Sequence, residues 1–157
     1  MNPLTVGQLA PEFRLKGPGG QWVSLSDHRG LQNVVLVFYP LAFSRVCSHQ
    51  LPELQRHLNE FRELNTVVFG ISVDSHYANE AFAKSLRVEF PLLSDFKRQA
   101  MTAYGTLLGE PGYSARVTFL IGKDGRIAYV DGTTTLGGLD EIPSTDRLLE
   151  AVRALPR

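Results

Sequence analysis

Residues 33–74, NVVLVFYPLAFSRVCSHQLPELQRHLNEFRELNTVVFGISVD, decide the fold. The run from Asn33 to Pro40 is short, continuous, apolar and rich in β-branched and aromatic residues, which is the pattern of a strand buried on both faces. Thr66 to Asp74 repeats it. Between them the apolar positions Cys47, Leu51, Leu54, Leu58 and Phe61 step by 4, 3, 4 and 3, which is helical spacing. Strand, helix and strand make a βαβ unit, whose crossover is right-handed almost without exception and sets two parallel strands under a helix. Pro52 cannot donate to the carbonyl of Ser48 and is expected to kink or restart the helix there, leaving Cys47 on a single turn.

On the N-terminal side, Phe13, Leu15, Trp22, Val23 and Leu25 flank Gly17-Pro18-Gly19-Gly20, which reads as a hairpin decorating the core. On the C-terminal side a helix is predicted from about Ser75, capped by Asp74 or Ser75, with Ala78, Ala81, Phe82 and Leu86 on one face. Residues 91–95 (PLLSD) follow, then a short amphipathic segment from Lys97 to Tyr104. Arg116 to Gly122 and Arg126 to Asp131 are apolar runs joined by Lys123-Asp124-Gly125, a strong hairpin signal. Leu148, Leu149, Val152 and Leu155 line a closing helix capped by Ser144 or Thr145. A parallel βαβ unit, an antiparallel hairpin and a last helix give an α/β, thioredoxin-like order with an added N-terminal hairpin and an inserted helix. No linker, repeat or low-complexity stretch divides the chain, so one domain over residues 1–157 is expected.

The chain has 157 residues, 43% apolar, 20% charged and 10% aromatic, with sixteen Lys and Arg against sixteen Asp and Glu. Such a length buries roughly 70% of the unfolded surface, so the core needs no disulfide or metal staple. Zero net charge and a pI near 6.9 leave no electrostatic footprint for nucleic acid or an anionic membrane. The longest apolar run falls far short of the roughly 20 residues of a membrane span. The N-terminus lacks the basic-then-apolar pattern of a signal peptide. A single cysteine excludes an internal disulfide and a multi-cysteine zinc site, and leaves a free thiol in a reducing, cytoplasmic setting.

That thiol, Cys47, follows the turn after the first buried strand, and functional groups in open α/β sheets collect at such carboxyl ends. At a helix start, unpaired backbone N–H groups and the helix dipole stabilise a thiolate, the reactive form, over a thiol. Cys47 is also in register with the apolar stripe, and on spacing alone core filler is the leading reading. Ser44 reads as a helix cap as readily as a catalytic hydroxyl. Arg116, heading a strand, reads alone as a solvated edge charge, and Pro40 alone as a strand end.

Taken together, Pro40-x-x-x-Ser44-x-x-Cys47 resembles the signature of the peroxiredoxins. The likeness continues in Thr5-Val6-Gly7, Ala10-Pro11-Glu12-Phe13, Val73-Asp74-Ser75 and Arg116-Val117-Thr118-Phe119, and with one cysteine the pattern is similar to the one-Cys, AhpE-like type. The resemblance implies a thiol peroxidase without metal or bound cofactor. Cys47 would attack a hydrogen peroxide or organic hydroperoxide oxygen and become a sulfenic acid. Ser44, the Cys47 N–H and Arg116 would stabilise the departing oxygen, while Pro40 shields the site. With no second cysteine, an external thiol or a thioredoxin-, glutaredoxin- or mycoredoxin-type protein would close the cycle. Relatives commonly form dimers, so a homodimer is expected.

The chain departs from the family pattern at Gln50, where many relatives carry Glu, and at Ser44, where Thr is commoner. Gln50 keeps hydrogen-bonding ability toward Arg116 without the charge. Arg45 is either a second cation or a solvated one. His28, His49, His57 and His76 show no zinc spacing and are expected at the surface; His49 points away from Cys47. Two rivals remain: a peroxide-sensing redox switch, and a non-catalytic thioredoxin-fold interaction protein with a buried thiol.

Overall fold

The computed structural model describes residues 2–132 and 142–157. Its centre is the strand pair predicted above: β3 (Asn33–Phe38) runs parallel to β4 (Thr66–Ser72) in the register Asn33↔Thr66 to Phe38↔Ile71. The continuous apolar run of β3 has a direct cause, because both of its faces are covered. Val34, Leu36 and Phe38 join one core cluster, and Val35, Val37 and Tyr39 join the other.

The second cluster is roofed by helices. α1 (Cys47–Arg56) and α2 (Leu58–Glu63) contribute Cys47, Leu51, Leu54, Leu58 and Phe61, the whole predicted stripe. α3 (His76–Leu86) adds Phe82, and α5 (Thr145–Arg153) adds Leu148, Leu149 and Val152. Ser75 and Ser144 cap these last two helices, accepting from the N–H groups of Ala78 and Arg147. The opposite face is covered by Phe13, Leu15 and α4 (Gln99–Ala103) through Ala100 and Met101.

Beyond β4 lies β5 (Leu92–Ser94), a third parallel strand. On the other side of β3 runs β8 (Val117–Ile121), antiparallel, followed by β9 (Ile127–Gly132). The hairpin of β1 (Arg14–Lys16) and β2 (Trp22–Ser24) attaches through Lys16↔Ser94. The sheet thus has seven strands in the order β2-β1-β5-β4-β3-β8-β9. Among the described residues no helix is long and apolar enough to cross a membrane.

Several local expectations are corrected. The helix does not restart at Pro52: α1 continues through it and breaks at His57, with φ −103° and ψ 8°. One missing hydrogen bond is tolerated because Leu51 and Leu54 are buried on either side and hold the helix to the core. The N-terminal hairpin is an extension of the central sheet and not a separate decoration. On α3, Ala81 is exposed and the inward position is Asn79, which donates to the Leu93 carbonyl at 3.2 Å and accepts from the Tyr39 hydroxyl at 2.6 Å. A small second sheet of β6 (Leu107–Leu108) and β7 (Tyr113–Ser114) was not foreseen.

Gly70, in the middle of β4, is a close approach. A Cβ there would lie 2.6 Å from Leu92 Cδ2 and 3.1 Å from the Tyr39 ring, so glycine lets Tyr39 lie across the strand.

Candidate active site

Two strand ends bring the predicted residues together. β3 ends at Phe38 and the chain passes through Tyr39 and the buried Pro40 into an irregular segment that enters α1 at Cys47. β8 pairs with β3 in the register Phe38↔Val117, so the residue before β8, Arg116, arrives beside the carboxyl end of β3. A side chain 69 positions away in sequence thereby meets the start of α1.

Cys47 is fully buried and Arg116 is 2% exposed. An Arg116 Nη1 donates to Cys47 Sγ at 3.1 Å and to Gln50 Oε1 at 2.7 Å. A buried guanidinium is tolerable only when its donors are engaged, and a neutral amide oxygen and the thiol are among the groups that one of its nitrogens meets. Gln50, also buried, stands one helical turn after Cys47 on the same face, which is why both reach one nitrogen. The edge-charge reading of Arg116 therefore falls.

The start of α1 has no side-chain cap. Val46 occupies the cap position in αR conformation, and the Ser44 hydroxyl caps nothing. Ser44 contributes its carbonyl instead, accepting from the Ser48 N–H at 3.0 Å and the Ser48 hydroxyl at 2.9 Å. Its own Oγ is buried and has no hydrogen-bond partner among the described residues. The Cys47 N–H likewise has no acceptor among them, as befits a first-turn donor. A buried hydroxyl without a partner costs about 1–3 kcal/mol, so its retention calls for a compensating use.

Beside the thiol, Tyr39 is buried and its hydroxyl donates to Asn79. Burial pushes its phenol well above the ordinary tyrosine range; the Ser72 hydroxyl works the other way, and Asp74 and Cys47 add to the rise. Tyr39 accordingly stays a donor. Arg45 is exposed and outside this cluster. Of the histidines, His49 is exposed and His28, His57 and His76 are half-buried. His57 lies between Glu53 and Glu60, and the His28 ring packs near Phe69. The polar partners Asp74 and Asn79 escaped functional reading because their value lies in tertiary bonds that no local spacing announces.

A buried thiol at a helix start, under a guanidinium and in a thioredoxin-like sheet, is the constellation of a peroxiredoxin. Residues 6–130 match the AhpC/TSA family, and the chain belongs to it, and so to the thiol-dependent peroxidases, a class of oxidoreductase. It is 37% identical over 130 residues to alkyl hydroperoxide reductase E of Mycobacterium tuberculosis, covering 82% of this chain and 85% of the relative. It is 33% identical over 162 residues to a chloroplastic 2-cysteine peroxiredoxin of Chattonella marina var. antiqua, covering 97% and 80%. The reduced 2-Cys peroxiredoxin of Plasmodium vivax superposes with a TM-score of 0.87 at 29% identity, covering 97% of this chain and 82% of that one.

Proposed function

We propose that Cys47 is the peroxidatic nucleophile of a one-Cys peroxidase. The single observation that carries the reading is the buried guanidinium of Arg116 donating at 3.1 Å to the only thiol in the chain. The Cys47 thiolate attacks one oxygen of a hydroperoxide. An S–O bond forms as the O–O bond breaks, and the second oxygen leaves with the electron pair, takes a proton and departs as water or an alcohol. Sulfur is oxidised to the sulfenic acid and the peroxide is reduced.

Negative charge grows on the departing oxygen during that step, so donors placed in advance lower the barrier. In this reading Arg116 donates to the reacting oxygens as well as to sulfur, and the Ser44 hydroxyl and Cys47 N–H, which have no partner among the described residues, supply the remaining donors. Gln50 holds the guanidinium in place, and Pro40 keeps bulk water from the sulfur. The sulfenic acid is then attacked by an external thiol, which forms a mixed disulfide and releases water; a second thiol frees Cys47. A low-molecular-weight thiol or a thioredoxin-, glutaredoxin- or mycoredoxin-type protein fits that role. A reducing, cytoplasmic compartment and a homodimer complete the reading.

The test is steady-state consumption of hydrogen peroxide and cumene hydroperoxide with dithiothreitol as reductant. Turnover is expected from the wild-type protein and none from Cys47→Ser. One thiol lost per chain without turnover by any thiol would instead mark a redox switch.

A further inference from the structure

The segment between Pro40 and Cys47 belongs to no strand or helix, yet it must deliver Ser44 and the first turn of α1 in a fixed geometry. Two contacts tie it down. The Ala42 N–H donates to Asp74 Oδ2 at 2.7 Å. The Phe43 ring packs on Phe82 with centroids 4.9 Å apart. Both anchors lie on the next strand–helix unit, Asp74 just after β4 and Phe82 on α3. Phe43 itself has φ 65°, a left-handed conformation that a bulky residue keeps only where its surroundings impose it. Ser44 is the next residue.

Asp74 is fixed in turn. Its Oδ2 also accepts from the Ser72 hydroxyl at 2.8 Å, and Ser72 is fully buried. Its neighbour Ser75 caps α3. The carboxylate therefore joins a rigid support to an irregular segment that has little structure of its own.

We propose that Asp74 is a positioning residue for peroxide reduction: by holding the Ala42 amide it sets the aim of Ser44 and of the Cys47 turn while touching neither sulfur nor substrate. The proposal rests on the reading of Cys47 as nucleophile. What the position requires is an acceptor oxygen and not a charge, because both of its partners, Ala42 N–H and Ser72 O–H, are donors. Asn supplies such an oxygen and Ala does not. Misplacing a catalytic group by about 1 Å can cost on the order of 10²-fold in rate.

The experiment compares two reactions of Cys47 in wild type, Asp74→Ala and Asp74→Asn. One is stopped-flow oxidation by hydrogen peroxide, which needs aligned donors on a leaving oxygen. The other is alkylation by iodoacetamide, which needs only the thiolate. Asp74→Ala is expected to slow oxidation by about 10- to 100-fold. Its alkylation should stay within about threefold of wild type, and Asp74→Asn should restore oxidation to within about threefold. An Asp74→Ala protein that oxidises at the wild-type rate overturns the proposal. So does an equal fall in both reactions, or an Asn variant as slow as Ala.

Should Asp74→Ala fail to fold, amide hydrogen exchange on the wild type decides. Strong protection of the Ala42 N–H, together with a fast Asn variant, supports the clamp, and exchange at the rate of an unstructured peptide overturns it. A wild-type Cys47 that ignores peroxide refutes the peroxidase reading and the proposal with it. An indifferent Asp74→Ala in a reactive background refutes the proposal alone.

Discussion

The two ends of β3 both bury polar side chains, and they use them differently. At the amino end, Asn33 is buried with both ends of its amide paired: Nδ2 donates to the Pro156 carbonyl at 3.1 Å and Oδ1 accepts from the Lys123 N–H at 3.2 Å. Beside it the Thr66 hydroxyl donates to the Leu64 carbonyl. These groups tie the last residues of the chain and the β8–β9 turn to the sheet. At the carboxyl end, Arg116 spends a donor on a thiol and Ser44 keeps a buried hydroxyl with no partner among the described residues. The groups at the amino end are paired, while at the carboxyl end a buried hydroxyl is left without a partner among the described residues, at some expense in stability.

The contrast is sharpest at Arg116. Arg116→Met keeps bulk and loses the donors, and peroxide oxidation of Cys47 is expected to fall by about 10²–10³-fold, the usual result of removing one preorganised donor. Stopped-flow fluorescence measures it. A loss below threefold would place Arg116 on the structural side of the comparison.

Ser44→Ala separates the two roles in a single variant. Removing an unpartnered buried hydroxyl should leave the unfolding free energy unchanged within about 0.5 kcal/mol or raise it, because no hydrogen bond is lost. Peroxide oxidation should fall by about tenfold, less than for Arg116 because a neutral donor is weaker than a charged one. Urea titration and stopped flow on the same preparation read both. A stability loss with unchanged rate would reverse the assignment.

Asn33→Ala should do the opposite, and its effect on chemistry is the smallest. It strips partners from the Lys123 N–H and the Pro156 carbonyl, costing about 1–3 kcal/mol in urea unfolding. The oxidation rate of Cys47 should not move. A rate change without destabilisation would mean that the two ends are coupled.

Much of this division was legible in the sequence, for identifiable reasons. β3 and β4 announced themselves because a strand covered on both faces must be apolar throughout, and α1 and α2 because Cys47, Leu51, Leu54, Leu58 and Phe61 keep one face. The turn that follows the apolar run of β3 placed Cys47 at a strand's carboxyl end, where it is found. What stayed hidden depends on contacts between distant segments. The burial of Arg116 follows from the register Phe38↔Val117, which no local pattern carries. Asn79 was not singled out because its partners, Tyr39 and Leu93, are far off in sequence. Pro52 misled because the rule against interior proline weighs one hydrogen bond, while Leu51 and Leu54 supply the packing that outweighs it.

In the proposed reading, the carboxyl end of β3 makes Cys47 a peroxide-reactive nucleophile. Single-turnover oxidation of the reduced protein by a slight excess of hydrogen peroxide, quenched with dimedone and read by intact-protein and peptide mass spectrometry, tests it most directly. One dimedone adduct per chain is expected, located at Cys47 and formed orders of magnitude faster than on free cysteine in the same buffer. An adduct forming no faster than on free cysteine would contradict it.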